Sequence, residues 1–274
     1  MKRYLLPLGM WLLFETIAVT LWLAMDNLFY LMNFTYIGTC LALGIVLFVR
    51  RHTHARSLVQ FAVGLYMLVY LGMVCNENMQ LEGFWYYLSL GVFEASLIHY
   101  AVAKIFGPLL FGRGWCGYAC WTAMVLDVLP YKSAQKPRVP LGFVRYIMFV
   151  ASFLLVGTLV VLNVPDMPRI MLWLFIAGNA LYYAIGVTLA YTLHDNRAFC
   201  KYGCPITVFL KPASYFSLLR VKIHEEKCIS CGKCKQVCPM DVDMMDNSRK
   251  RLHGTECILC MQCIDACPTQ ALYL

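Results

Sequence analysis

Through the first two hundred residues the apolar positions come in long runs, not in the two-residue or 3.6-residue alternation of a half-buried strand or surface helix. Six runs stand out: Tyr4–Met25, Leu28–Val49, Ser57–Val74, Phe84–Phe106, Leu141–Leu162 and Ile170–Tyr191. Each approaches the ~20 residues that a helix rising 1.5 Å per residue needs to cross the hydrocarbon of a bilayer, so each predicts a transmembrane helix. The first begins with Lys2 and Arg3, as a signal peptide does. Its apolar run is longer than a typical signal core and ends without a small-x-small cleavage site, so it reads as a retained helix.

The pattern then changes. Tyr118–Leu129 mixes aromatic, apolar and acidic positions as a short interfacial helix does. Ile206–Leu219 is apolar, too short to cross, and interrupted by Lys211-Pro212. From Val221 the chain becomes short-period and turn-rich, with Val221–His224 and Gln270–Leu274 alternating as strands. The expected division is an all-α polytopic membrane domain over 1–204, a membrane-surface connector over 205–220, and a small α+β domain over 221–274.

Composition agrees: 61% of the residues are hydrophobic and only 14% charged, against about 25% charged in soluble domains. The net charge of +8 is not interleaved with aromatic residues as a nucleic-acid platform would be, which argues against a nucleic-acid partner. It gathers between runs instead. Lys2 and Arg3 precede the first run. Arg50, Arg51 and Arg56 separate the second and third. Lys104, Arg113, Lys132, Lys136 and Arg138 lie between the fourth and fifth. The opposite loops hold Asp26, Glu77, Glu82 and Asp166 with a single Arg169. The positive-inside rule then expects both termini on the cytoplasmic face of a prokaryotic inner membrane.

Of the 14 cysteines, eight lie in the last fifty residues. Cys228, Cys231, Cys234 and Cys238 precede Pro239, and Cys257, Cys260, Cys263 and Cys267 precede Pro268. Each run is C-x2-C-x2-C-x3-C-P, the tandem signature of a bacterial 2[4Fe–4S] ferredoxin domain, in which the fourth cysteine of each run ligates the other cluster. One cluster is therefore expected on Cys228, Cys231, Cys234 and Cys267, the other on Cys257, Cys260, Cys263 and Cys238. Zinc sites use paired C-x2-C fragments without this tail. Gly232 supplies a position where positive φ is easy inside the first ligand loop. Thiolates free to ligate iron fit a reducing compartment, which again places them on the cytoplasmic side.

Four further cysteines form a repeat. Arg113-Gly-Trp-Cys116-Gly-Tyr-Ala-Cys120 and Arg197-Ala-Phe-Cys200-Lys-Tyr-Gly-Cys204 each follow a pair of apolar runs, with the same orientation. A parallel repeat about an axis along the membrane normal would bring the two C-x3-C pairs together at the membrane surface. On a helix, cysteines at i and i+4 share one face, with Cβ atoms about 5–6 Å apart. Four thiolates could hold a third iron–sulfur cluster, and Gly112, Gly114 and Gly117 could let backbone N–H groups approach its sulfurs. Zinc and a redox dithiol stand as alternatives.

Inside the runs, Glu15, Glu94 and His99 are the ionisable residues of interest, because intramembrane charges mark function by default. A quinone site needs a proton acceptor near its electron acceptor, which makes His99 and Glu94 candidates. Five residues apart, they are expected roughly 140° apart around a helix and unable to face one ligand easily. Cys40 and Cys75 read as small apolar fillers. His99 has no second histidine within a run and there is no C-x-x-C-H, so no haem is expected.

At these motifs the chain resembles the NapH-type membrane ferredoxins, a polyferredoxin family with relatives in the NosR and CcoG groups. The resemblance covers the third to sixth runs, both C-x3-C motifs and the tandem ferredoxin runs. Cys200–Cys204 is followed by Pro205 as the family pattern has it, whereas Cys120 is followed by Trp121. The resemblance implies an electron-transfer component of a membrane oxidoreductase complex rather than a stand-alone enzyme. It would pass electrons between the quinone pool, or a membrane redox partner, and a partner on the cytoplasmic side.

An iron–sulfur redox sensor or an assembly and maturation protein is the alternative. A copper carrier finds weak support in Met240, Met244 and Met245, and a transporter would need more polar positions than Glu15 and Glu94. Lys227, Lys233, Lys235, Arg249, Lys250 and Arg251 give the ferredoxin face a basic character. That suits an acidic partner such as ferredoxin, flavodoxin or an oxidoreductase subunit, or an anionic lipid surface.

Overall fold

The computed structural model describes residues 5–50, 52, 54–134 and 136–274. Lys2, Arg3, Tyr4 and Arg51, used above for the first run and for loop charge, lie outside the described residues. Helices α1 (Leu5–Met25), α2 (Leu28–Val49), α3 (Ala55–Val74), α8 (Val144–Val161) and α9 (Met167–Leu193) are long and apolar enough to cross a membrane. Their outer faces carry exposed Leu23, Leu43, Phe61, Leu154 and Trp173, as lipid contact requires. Helices α1 and α2 form a hairpin that begins after Asn27, whose side chain accepts a hydrogen bond from the Phe29 N–H at 2.9 Å.

The fourth run is not one straight span. It divides into α4 (Leu81–Leu90) and α5 (Ala95–Phe111), which bend against each other by 115°. Gly91 ends α4 in the left-handed region at φ 68°, Glu94 is extended, and Ala95 is held at φ 41°. Counted as one broken crossing, the pair makes six spans. Both α3 and α5 contain stretches with a wider, π-helical turn, Tyr66–Val74 and Ala101–Phe106. Such turns recur at functional sites.

Short helices α6 (Gly114–Tyr118), α7 (Trp121–Leu126) and α10 (Ala198–Tyr202) cap the bundle at one end. A short helix, α7, does lie within Tyr118–Leu129, and its Trp121, Thr122, Ala123 and Leu126 are buried. Helix α11 (Thr207–Tyr215) lies over this end, and the small domain follows. Strands β1 (Lys222–Ile223) and β2 (Leu272–Tyr273) pair antiparallel, Lys222 opposite Tyr273 and Ile223 opposite Leu272. Between them lie the two cysteine loops with helices α12 (Lys233–Gln236) and α13 (Gln262–Asp265).

The small domain is clasped onto the bundle by desolvated ion pairs. Glu256, buried, pairs with Arg138 at 2.8 Å, Lys211 at 3.1 Å and Arg145 at 3.3 Å. Burial raises the Glu256 carboxyl, but the cations Arg113, Arg138 and Lys211 overrule it and bring it down to about 2. Lys201, fully buried, bridges Asp195 and Asp241 at 2.7 Å each.

Two expectations change here. Arg251 is buried and does not belong to an exposed basic face, and Arg249, though exposed, is tied to backbone carbonyls. Arg249 donates to the Tyr215 and Ser217 carbonyls and Arg251 to the Val221 carbonyl, at 2.7 to 3.2 Å. Gly117, expected to bring an N–H to a sulfur, instead lets the small domain approach. A Cβ there would stand 2.3 Å from the Ile258 carbonyl oxygen. Gly117→Ala should therefore loosen the seam by about 1–3 kcal/mol, the usual cost of overpacking. Limited proteolysis of the detergent-solubilised protein should show faster cutting between residues 205 and 220 than in the wild type.

Candidate metal centres

The two ferredoxin loops form two separate cavities, and each brings together cysteines from both runs. One is lined by Cys228, Cys231, Cys234 and Cys267, with Ile223, Ile229 and Ala271. The other is lined by Cys257, Cys260, Cys263 and Cys238, with Val221, Met240, Met244 and Ile258. The exchange of the fourth cysteine follows from the antiparallel β1–β2 pairing, which folds the tail of each run against the loop of the other. Backbone N–H groups already point at ligand sulfurs: Ala271 to Cys267 at 3.3 Å, Ser230 to Cys228 and Val242 to Cys238 at 3.4 Å. Such bonds favour thiolate over thiol.

The C-x3-C pairs meet through a reciprocal pair of arginines. Arg113, three residues before Cys116, donates to the Cys200 carbonyl at 3.3 Å. Arg197, three residues before Cys200, donates to the Cys116 carbonyl at 3.1 Å, and it lies 3.9 Å from the Cys200 sulfur. The repeat read from the sequence is thus a pseudo-twofold pair about the four thiols. The helical i, i+4 geometry is not how each pair forms. Helices α6 and α10 end at Tyr118 and Tyr202, and Cys120 and Cys204 lie beyond those ends.

The donor set and its surroundings fit a metal-held site such as an iron–sulfur cluster better than a reactive dithiol. Burial pushes the Cys204 thiol up to about 12, with Cys200, Cys116 and Cys120 adding to the rise. It pushes Cys200 up to about 11 against the pull of Arg197. A reactive dithiol needs a depressed thiol; these ionise only when a metal core displaces their protons.

Arg113 is fully buried, and its Nε and Nη1 have no partner, like Nε of Arg197. Arg113 shares Glu256 with three other cations. An anionic cluster would supply both missing acceptors and countercharge. Bound there, held by Cys116, Cys120, Cys200 and Cys204, it would supply one-electron redox chemistry.

Beneath this seam lies a cavity of about 290 Å³ between α2, α3 and α5. Phe34, Ile37, Met67, Leu71, Ile98 and Val102 make it apolar, and both π-helical stretches contribute to its wall. Its polar lining is His99, Glu94, Glu77, Asn33 and Tyr30. His99 and Glu94 thus do face one space, contrary to the helical expectation, because the chain breaks between Glu94 and Ala95. The His99 Nε2 is buried without a partner, and its ring stands edge-on to Trp115 with centroids 5.4 Å apart. Trp115 directly precedes Cys116. Cys75 lines this cavity rather than filling a packing gap. Glu15 accepts from the Thr35 hydroxyl at 3.0 Å and is not part of it.

The sequence pattern marks Trp115 and the paired arginines as members of the repeat and Glu77 as a loop charge, without giving their roles here. The arginine three residues before each C-x3-C was the one signal that could have shown their role.

Comparison with known proteins agrees with the cysteine geometry. A model described as 4Fe-4S dicluster domain matches residues 220–268. A model described as 4Fe-4S binding domain matches 97–140 and 171–224, one match for each C-x3-C copy. An uncharacterized protein of Methanocaldococcus jannaschii is 24% identical over 147 residues, 49% of this chain and 54% of the relative. A putative electron transport protein of Escherichia coli, YccM, is 34% identical over 62 residues, 23% of this chain and 17% of the relative. The matched segment thus spans about half the length of the first curated relative and less of the second. No solved structure matches.

Cys204→Ala should lower the iron content by about four atoms per chain, the complement of one cubane. The spectroscopic signals of the two ferredoxin clusters should remain, which iron analysis and electron paramagnetic resonance on one anaerobic sample would check. The chain carries iron–sulfur-binding domains of the 4Fe–4S type, joined to a set of apolar helices long enough to span a membrane.

Proposed function

We propose that this protein is a membrane-bound electron relay linking a quinone in the apolar cavity to a redox partner at the ferredoxin domain. The observation that carries it is an unbroken sequence of contacts. His99 meets Trp115, and Trp115 precedes Cys116. Cys116 and Cys200 belong to the same buried cluster as Cys238 and Cys263. Tyr118 donates to the Leu259 carbonyl at 2.9 Å, and Gly117 sits on Ile258, next to Cys257. The C-x3-C site therefore lies between cavity and ferredoxin loops, where a third cluster shortens each electron hop.

Clusters on Cys228, Cys231, Cys234 and Cys267 and on Cys257, Cys260, Cys263 and Cys238 complete the relay. A polar cleft of about 860 Å³, lined by His52, His54, Lys132, Gln262, Cys260 and Cys267, borders both and is where electrons pass to or from the partner. Exposed Lys227, Lys233 and Lys235 surround exposed Cys231 and favour an acidic partner such as a ferredoxin or flavodoxin. Loop charge supports a cytoplasmic position for this face. The likeness to YccM, a putative electron transport protein, supports the same class of activity.

His99 is the group placed to exchange a proton with the quinone. With a reduced soluble ferredoxin as donor and decylubiquinone as acceptor, the purified protein should catalyse quinone reduction. His99→Gln should slow it about a hundredfold, in the range of a general acid or base, with iron content unchanged. Equal rates in variant and wild type would remove His99 from the reaction.

A further inference from the structure

The quinone cavity has its electron exit and its proton-bearing groups at opposite ends. The electron exit is Trp115, beside Cys116 and the ferredoxin seam. The polar groups run the other way. His99 is buried, Glu77 is half-buried in the loop after α3, and Glu94 is exposed at the break before α5. Tyr30 lies beside both carboxylates, and the Tyr87 hydroxyl donates to Glu77 at 2.9 Å. From Ala95, next to Glu94, to His99 is four helical steps, about 6 Å along the axis.

Helix α2 fixes the orientation of this gradient without any appeal to loop charge. Asn27, at the start of α2, lines the cavity together with Cys75 and Glu77. Phe48, near its other end, lines the cleft that borders Cys260 and Cys267. The 22 residues of α2 separate those ends by about 33 Å. The carboxylate end of the cavity therefore faces away from the ferredoxin domain. Burial raises the Glu77 carboxyl above its ordinary range, the Tyr87 bond opposes this and Glu94 adds to it, so the group can hold a proton.

Resting on the quinone reading above, we propose that protons travel between the quinone and the membrane face opposite the ferredoxin domain, through His99, Glu77 and Glu94. Electrons reach the same quinone from the ferredoxin face through Trp115 and the C-x3-C site. In quinone reduction, two electrons arrive from the clusters and two protons from the far face, and a quinol leaves into the bilayer. Oxidation runs the same steps backwards. The reaction thereby separates charge across the membrane without a moving ion carrier.

The test uses the whole protein in sealed vesicles loaded with the pH dye pyranine, with decylubiquinone in the bilayer. Reduced soluble ferredoxin outside cannot cross, so it drives only molecules whose ferredoxin domain faces outward. Rates are taken over protein-free vesicles. The lumen should lose one proton per electron delivered, while the outer medium stays constant. Proton loss from the outer medium with a constant lumen would overturn the proposal and leave the quinone reading standing. Absence of quinone reduction would overturn the quinone reading and this proposal with it.

Glu77→Gln and Glu94→Gln should each slow turnover about tenfold or more, at the lower end of what positioned proton carriers contribute, with unchanged iron content. A double variant that takes up lumenal protons at the wild-type rate would remove these carboxylates from the path.

Discussion

Buried positive charge that outnumbers the carboxylates meeting it is the constraint on which the seam depends. Arg113 and Arg197 are fully enclosed, yet part of each guanidinium has no partner in protein. Removing such a cation from water costs several kcal/mol unless an anion meets it. The nearest carboxylates are already engaged: Asp127 by Arg56 and Arg197, Glu256 by Arg138, Arg145 and Lys211. Of the thiols at this site, burial pushes Cys120, Cys200 and Cys204 above the ordinary thiol range. An anionic cluster held there would meet both needs at once and would couple folding at the seam to loading of the site.

The same charges set the position of the ferredoxin domain. Asp241 and Glu256 come from it; Arg138, Arg145, Lys201 and Lys211 come from the bundle and connector. Buried pairs of this kind add little net stability, but losing one partner strands the other. Their effect is to fix distance and orientation. Electron transfer needs that fixity, because Cys116 and Cys200 must stay within the same packed cluster as Cys238 and Cys263.

What was legible in the sequence was what the chemistry writes locally. The tandem cysteine spacing specified two loops, and the exchanged fourth ligand followed from one short antiparallel pair. The apolar runs announced the long helices, because each is long and apolar enough to cross a membrane. The break between α4 and α5 was hidden: the run from Phe84 to Phe106 stays apolar across it, and only Gly91 marks the turn. That break brings Glu94 and His99 into one cavity, which a helical wheel forbids.

The ion pairs of the seam were equally hidden, since Arg138 and Glu256 are more than a hundred positions apart. Basic residues counted as loop charge or as a docking face, such as Arg56, Arg138, Arg249 and Arg251, are held by internal partners in the fold. A charge count cannot see which cations are already bound.

The account stands on three clusters in one continuous path, and a stoichiometry decides it. Iron and acid-labile sulfide per chain should be measured on protein purified anaerobically in detergent. Three cubanes predict about 12 of each, by the ligand arithmetic of four irons per four-thiolate site. A value of about 8 would mean that Cys116, Cys120, Cys200 and Cys204 hold no iron. The relay would then stop at the ferredoxin domain, and the cavity would have no electron acceptor beside it.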